Sequence, residues 1–387
     1  MGTATLVRTP RKRRIHDPHH APARRYSAAR YLRLWAGGFG AASMLVMLVA
    51  PYFLSSLNVY EWSAEIGDYV YESGYVHRER GEGWATTSYG RFGLTGVSPD
   101  PAAQAQMPPA LIWGDSFVEG HQVSDAQKAA AQVTQAFAPG GQERLRALAV
   151  GHSYWCVADY YFNIPPYEKL VDPICHFIVL AEHGLADMCP DEDRFLSKPT
   201  YRFVRRAVAD THKNQVTKFL ARWGLEDALL APWKAVRNIR ADLEQLRRGD
   251  PPGSASRHPG CLRLAQDVDV NEVTTSWAYA LTMLKSRTHK PIVLISVPEV
   301  PALEKGKIRC ENPQSQWNAR LAELCREQNL GFIDMTETLV RDYRATGKLS
   351  RGFQNGVPGS GHLNARGQYL LSHEICAYLR QHFSDSL

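Results

Sequence analysis

Apolar positions cluster into five short runs, at 110–113, 145–150, 176–181, 291–297 and 331–335. Each is a near-continuous stretch of Ile, Val, Leu, Phe or Ala, which is the pattern of strands covered on both faces; half-exposed strands alternate. Between these runs apolar residues recur at helical spacing, over 124–137, 273–287, 314–328 and 364–383. The first of these helices opens with Ser124 and carries Gln127 three residues on, the pattern of a capping box. Strand and helix in alternation predict a parallel sheet with helices on both faces. In such sheets ligands bind beyond the carboxyl ends of the strands.

Two stretches break the rhythm. Residues 34–54 carry no charge, and as a helix these 21 residues would span about 31 Å, close to the hydrocarbon thickness of a bilayer. Nine Arg and Lys precede this run in residues 1–33 against a single acid, Asp17. Cations on one side only predict one crossing, with residues 1–33 as a basic cytoplasmic tail and the body outside. Residues 55–108 then read as a juxtamembrane segment and linker, and 109–387 as the main domain. Within that domain, about 190–265 form a helical insertion whose portion 194–248 holds 13 basic and five acidic residues. Such a cap suits an anionic polymer or lipid head groups, or is a solvated helical face.

The formal charge of +6 comes from the tail: of 45 Lys and Arg and 39 Asp and Glu, 36 and 38 lie beyond residue 33, a balance of −2. With the excess confined to the tail and no nucleic-acid-reading module in the sequence, nucleic-acid binding by the body is the least favoured function. All seven cysteines lie beyond the expected anchor, so at least one stays unpaired in an oxidising compartment, and no C-x-x-C spacing suggests a metal.

Chemistry concentrates at two places. The first strand runs into Gly-Asp-Ser at 114–116, and "GVPGSGHLNARG" places His362 in a glycine-rich loop before the last helix. A serine hydroxyl becomes a nucleophile when a base takes its proton and donors hold the oxyanion. Ser116 and His362 supply the first two parts; each is otherwise a turn residue and a helix-capping group. Asp115, beside the serine, braces the turn, and Asn364 supports the histidine loop. Tyr154, Trp155, Tyr160 and Tyr161 either stack on a sugar or pack in the core.

On these motifs the chain resembles the SGNH/GDSL hydrolase superfamily, from about Thr87 to Phe383. "GDSFVEG" is similar to its first block and "HLNARG" to its last, which implies Ser116 as nucleophile and His362 as general base. The resemblance further implies a flavodoxin-like three-layer α/β/α fold and an oxyanion hole from the N–H groups of Ser116 and Gly151 ("VGHSYW") with His183 ("AEHGLAD"). The family's acid three residues before the histidine is replaced by Gly359, so a backbone carbonyl or an acid from elsewhere must orient the ring. "TTSYGRFGLTG" is similar to membrane-anchored bacterial members. The resemblance thus implies a serine esterase or O-acyltransferase that moves an acyl group, preferably acetyl, on an envelope carbohydrate without metal or organic cofactor. Its partners would be an acyl-ester or polysaccharide substrate and a membrane-bound O-acyltransferase, with the body in the periplasm and the anchor in the inner membrane. The alternatives are a noncatalytic glycan-binding or assembly subunit and a lipid esterase of lysophospholipase type.

Overall fold

The computed structural model describes residues 27–96, 109–141, 144–153, 155–181, 218–220, 225, 270–304 and 306–383. His183, nearly all of the expected insertion at 190–265, Tyr154, two of the seven cysteines (Cys189 and Cys261) and residues 1–26 of the basic tail lie outside the described residues. The chain divides into two units, Met1–Val49 and Ala50–Leu387. Helix α1 (Ala28–Phe53) takes in almost all of the uncharged run, and large side chains such as Leu34, Trp35, Phe39, Leu45 and Leu48 are exposed on it. Among the described residues no helix is long and apolar enough to cross a membrane, so the expected transmembrane helix is not found. The first half of the run is rich in Ala, Gly and Ser (36–38 and 40–43), small residues that contribute little apolar surface.

The larger unit begins with two antiparallel hairpins, β1 (Tyr60–Ser63) with β2 (Asp68–Tyr71) and β3 (Val76–Glu79) with β4 (Ala85–Ser88). They occupy the stretch expected as a juxtamembrane linker. Five parallel strands come next: β5 (Ala110–Gly114), β6 (Ala147–Gly151), β7 (Cys175–Ala181), β8 (Ile292–Val297) and, after a small hairpin of β9 (Ala302–Glu304) and β10 (Lys307–Arg309), β11 (Gly331–Asp334). Their order is β6-β5-β7-β8-β11, the flavodoxin-like 2-1-3-4-5 arrangement, whose switch point falls between the first and third strands. Here that point is the end of β5.

Every residue of β5 to β8 is buried, and alternate side chains feed two separate cores. Leu111, Trp113, Ile178 and Leu294 join one core with helices α4 (Val157–Val171), α5 (Val270–Lys285) and α6 (Ser315–Glu327). Ala110, Ile112, Phe177 and Val293 join the other with α2 (Ser116–Glu119), α3 (Ala129–Ala136), α7 (Thr336–Thr346) and α8 (Ala365–Phe383). The capping box at Ser124 and Gln127 is present, opening a short 3-10 turn ahead of α3.

Candidate active site

The nucleophile candidate sits where β5 stops. Asp115 caps α2 by accepting the Phe117 N–H at 2.9 Å, so the chain turns at once into a helix that starts with Ser116. α2 lies tightly on the sheet: a Cβ on Gly151 would collide with the Glu119 N and Val118 backbone, and one on Gly114 with Val118. The missing side chains are thus a condition of placing Ser116. Gly151 was expected to donate to the oxyanion, but His152 N donates to the Gly114 carbonyl at 3.1 Å. In a parallel ladder that register turns the N–H of Gly151 away from β5, toward the outer edge of the sheet. Its role here is close packing.

The histidine comes from the loop before α8. Asn364 fixes that loop from both ends, donating to Leu349 O (2.9 Å) and Gly352 O (3.2 Å) and accepting from Arg366 N (2.9 Å) and Gly367 N (3.2 Å). Buried Arg351 donates to Gly361 O (2.9 Å), Val297 O (2.5 Å) and Pro298 O (3.0 Å), joining the loop to the end of β8. The outcome is His362 Nε2 at 2.8 Å from Ser116 Oγ. Two side chains 246 positions apart in sequence are in hydrogen-bond contact.

The acid is Glu82, which the sequence did not disclose. It sits in the turn between β3 and β4, 2.5 Å from His362 Nδ1 through Oε2, and its Oε1 accepts the His362 backbone N–H at 3.0 Å. With Nδ1 donating to the carboxylate, Nε2 is left as the acceptor facing the serine hydroxyl. Burial alone would raise the Glu82 carboxyl; hydrogen bonding and attraction from His362 outweigh it and hold the group below the usual range. Both side chains stay about a quarter exposed (26% and 27%), so the dyad borders solvent.

Gly359 shows why the acid had to come from elsewhere. Its φ is +80°, a region side chains rarely adopt, and a Cβ there would lie 3.1 Å from Leu303 N. Gly361, also at φ +80°, leaves the space that the Glu82 carboxylate fills. Asn355 clips the acid-bearing turn to the histidine loop, accepting from Gly83 N (2.8 Å) and donating to Gly83 O (2.7 Å) and Arg80 O (3.1 Å).

Behind α2 lies a buried polar cluster. Glu119 accepts from Tyr71 Oη (2.5 Å), Ser153 N (2.7 Å) and Ser153 Oγ (2.5 Å). Burial pushes Glu119 up, but the imidazoles of His121 and His152 and these donors bring it down to about 2. Burial depresses His121 to about 3, leaving a neutral ring. That ring bonds Tyr89 Oη and stacks on His77 at 4.0 Å. His152 stacks between Tyr60 and Trp155, while Trp155 and Tyr160 belong to the core.

Neither a family model nor a curated protein matches the chain. Among solved structures it is similar to a catalytic mutant of an acetylxylan esterase from Geobacillus stearothermophilus (14% identity, 71% of this chain and 93% of that one, TM-score 0.34). It is also similar to a lipase/acylhydrolase from Enterococcus faecalis (15%, 71% and 96%, TM-score 0.35). An acetyl xylan esterase matches at 11% identity over 70% of this chain and 99% of its own, TM-score 0.36. Likenesses this distant say nothing of what this chain binds.

Proposed function

We propose that this protein is a serine esterase of SGNH type that moves an acyl group, preferably acetyl, on a carbohydrate through an acyl-Ser116 intermediate. The observation that carries this is the hydrogen-bonded line Ser116 Oγ, His362 and Glu82, at 2.8 and 2.5 Å. It has the order nucleophile, base and orienting acid that activates a hydroxyl. As Oγ bonds to the acyl carbon, its proton passes to His362 Nε2, and Glu82 stabilises the imidazolium. The Ser116 N–H faces the developing oxyanion. Collapse breaks the ester C–O bond, and the departing alcohol takes the proton from Nε2. Water or a sugar hydroxyl then gives its proton to Nε2 as it attacks the acyl carbon, and the acyl C–Oγ bond breaks as Ser116 Oγ takes that proton back from Nε2. Transfer to sugar would make the protein an O-acyltransferase; transfer to water makes it an esterase. The chain's own residues hold every proton in this cycle.

Glu82 also weakens the noncatalytic alternative, whose motive was a missing acid. The inner membrane and its periplasmic face are the proposed setting, with the basic tail and the exposed apolar side chains of α1 attaching the protein to lipid; a membrane-bound O-acyltransferase would be the acyl donor. The test is turnover of p-nitrophenyl acetate and of an acetylated oligosaccharide by the wild type and by Ser116→Ala, with fluorophosphonate labelling of each. Turnover and labelling that depend on Ser116 support the proposal. Equal turnover by both proteins, or no labelling of either, defeats it.

A further inference from the structure

We propose that Glu79 is a positioning residue for this site: it shapes the turn that delivers Glu82 and ties that turn to the chain leaving α1. The proposal rests on Ser116, His362 and Glu82 working together as an esterase triad. Glu79 closes β3 three residues before the acid, and its side chain folds back over its own turn. One carboxylate oxygen, Oε1, accepts from the N–H groups of Arg80 (2.8 Å), Gly81 (2.6 Å) and Glu82 (3.3 Å). Three successive N–H groups converging on one oxygen orient three successive peptide planes, the last of them that of the acid itself. The Arg80 guanidinium also spans the turn, donating to Glu79 O (2.6 Å) and Ala85 O (2.8 Å), and Asn355 holds it from the opposite side; Glu79 alone gathers the N–H groups that lead up to the acid.

The same oxygen accepts the Ser55 hydroxyl at 3.0 Å, and Ser55 Oγ in turn accepts the Arg80 N–H at 2.8 Å. Ser56 Oγ accepts the Arg78 N–H at 2.8 Å, and Arg80 Nε reaches Tyr52 O at 3.3 Å. Phe53 sets its ring edge against Trp84, 6.5 Å between centroids, and the Arg80 guanidinium lies 4.8 Å over that Trp84 ring. Residues 52–56 therefore run as a strap along β3 and meet Glu82 through one shared carboxylate. Glu79 thereby has two functions. It sets the conformation of the acid's turn, and it passes to that turn any displacement of the strap. Misplacing a catalytic group by 1 Å costs on the order of 10²-fold in rate, so a small shift at Ser55 reaches the chemistry.

The experiment uses the full chain as wild type, Glu79→Ala, Glu79→Gln and Ser55→Ala. Three quantities are read: kcat and KM for p-nitrophenyl acetate, Tm, and the downfield proton resonance of His362 Nδ1–H bound to Glu82. Glu79→Ala is expected to lower kcat about 10²-fold at unchanged KM and to lose the downfield resonance. Glu79→Gln keeps an oxygen that accepts the same N–H groups, and should keep the resonance and most of kcat. Ser55→Ala should fall between the two. A Glu79→Ala protein with wild-type kcat and an intact resonance overturns the proposal. So does equal loss in the Ala and Gln variants with a matching drop in Tm, which would make the role one of general stability. If the wild type turns over no ester yet shows a resonance that depends on Glu79, the esterase assignment fails and the positioning stands.

Discussion

At the scale of single residues, the site turns on a glutamate placed 280 positions before its histidine. Replacing the acid of a serine triad by its amide leaves geometry but mispairs the imidazole tautomer, at a cost of about 10⁴-fold in kcat. Glu82→Gln should therefore lower kcat by roughly 10³–10⁴-fold while KM moves little, read from initial rates with an acetyl ester. Unchanged kcat would remove Glu82 from the mechanism. Placing an acid three residues before the histidine, Gly359→Asp in the Glu82→Gln background, should restore nothing, because φ there is +80° and the new Cβ would press on Leu303 N. Ser116 and His362 were legible in the sequence because each sits in a short motif whose glycines mark a turn at an element's end. Glu82 was not, since its partner is distant in the chain and a carboxylate flanked by glycines in "RGEGW" looks like any solvated turn. His183 and Gly151 were named by analogy of position. The first lies outside the described residues, and backbone register turns the N–H of the second to the far side of its strand.

At the scale of elements, all five parallel strands were readable to within two residues, four of them, β5 to β8, because burial on both faces leaves an unbroken apolar run. Helix α4 was not, and Pro165 with Pro166 inside it explains why. A proline leaves the carbonyl four residues earlier without its helical donor, and here Arg287 Nε donates to Tyr161 O at 3.3 Å in its place. Tertiary structure thus supplies what the local sequence denies. The hairpins were hidden for the opposite reason: their polar groups are satisfied by the main sheet's neighbours, as when Lys128 Nζ donates to Thr87 Oγ1 at 2.8 Å. The buried cluster behind α2 carries a pH signature. His121 is lowered from 6.5 to about 3, so below pH 6.5 the unfolded chain binds a proton that the folded one refuses, and stability falls with pH until the folded pKa is passed. Glu119 and Glu79, lowered from 4.5 to about 2, act with the same sign but begin to lose their contribution only near 4.5. Urea midpoints should then drop steadily from pH 7 to 5, and His121→Gln should flatten that limb, while the fall below 4.5 persists through Glu79 and shrinks where Glu119 loses the attraction of His121. A midpoint independent of pH between 7 and 5 would show that His121 is not held neutral.

At the scale of the whole molecule, charge and chemistry are segregated along the chain. Nine cations against one acid fill the first 33 residues, while everything after them sums to −2. The body as a whole therefore carries no net attraction to an anionic lipid surface, its basic stretch at 194–248 being offset elsewhere, and the tail has a strong one, at about 1 kcal/mol per cation near the surface. Apolar side chains exposed along α1 add a contribution that salt does not screen. The two contributions separate experimentally. Flotation of the full chain with anionic vesicles should show binding that weakens as salt rises from about 0.1 to 0.5 M, since exposed charges are screened over that range. Replacing Arg11, Lys12, Arg13 and Arg14 by glutamine should remove up to ~4 kcal/mol, roughly 10³-fold in partitioning. Binding to uncharged vesicles, if any, should be unaffected by that replacement and fall when Leu45 and Leu48 become serine. If the glutamine variant floats with anionic vesicles as the wild type does, at low salt as well as high, the cluster at 11–14 is not the attachment. Because residues 52–56 brace the turn of the catalytic acid, the same vesicles should also change kcat in the wild type more than in Ser55→Ala, in which the strap has already lost its hydroxyl contact to Glu79.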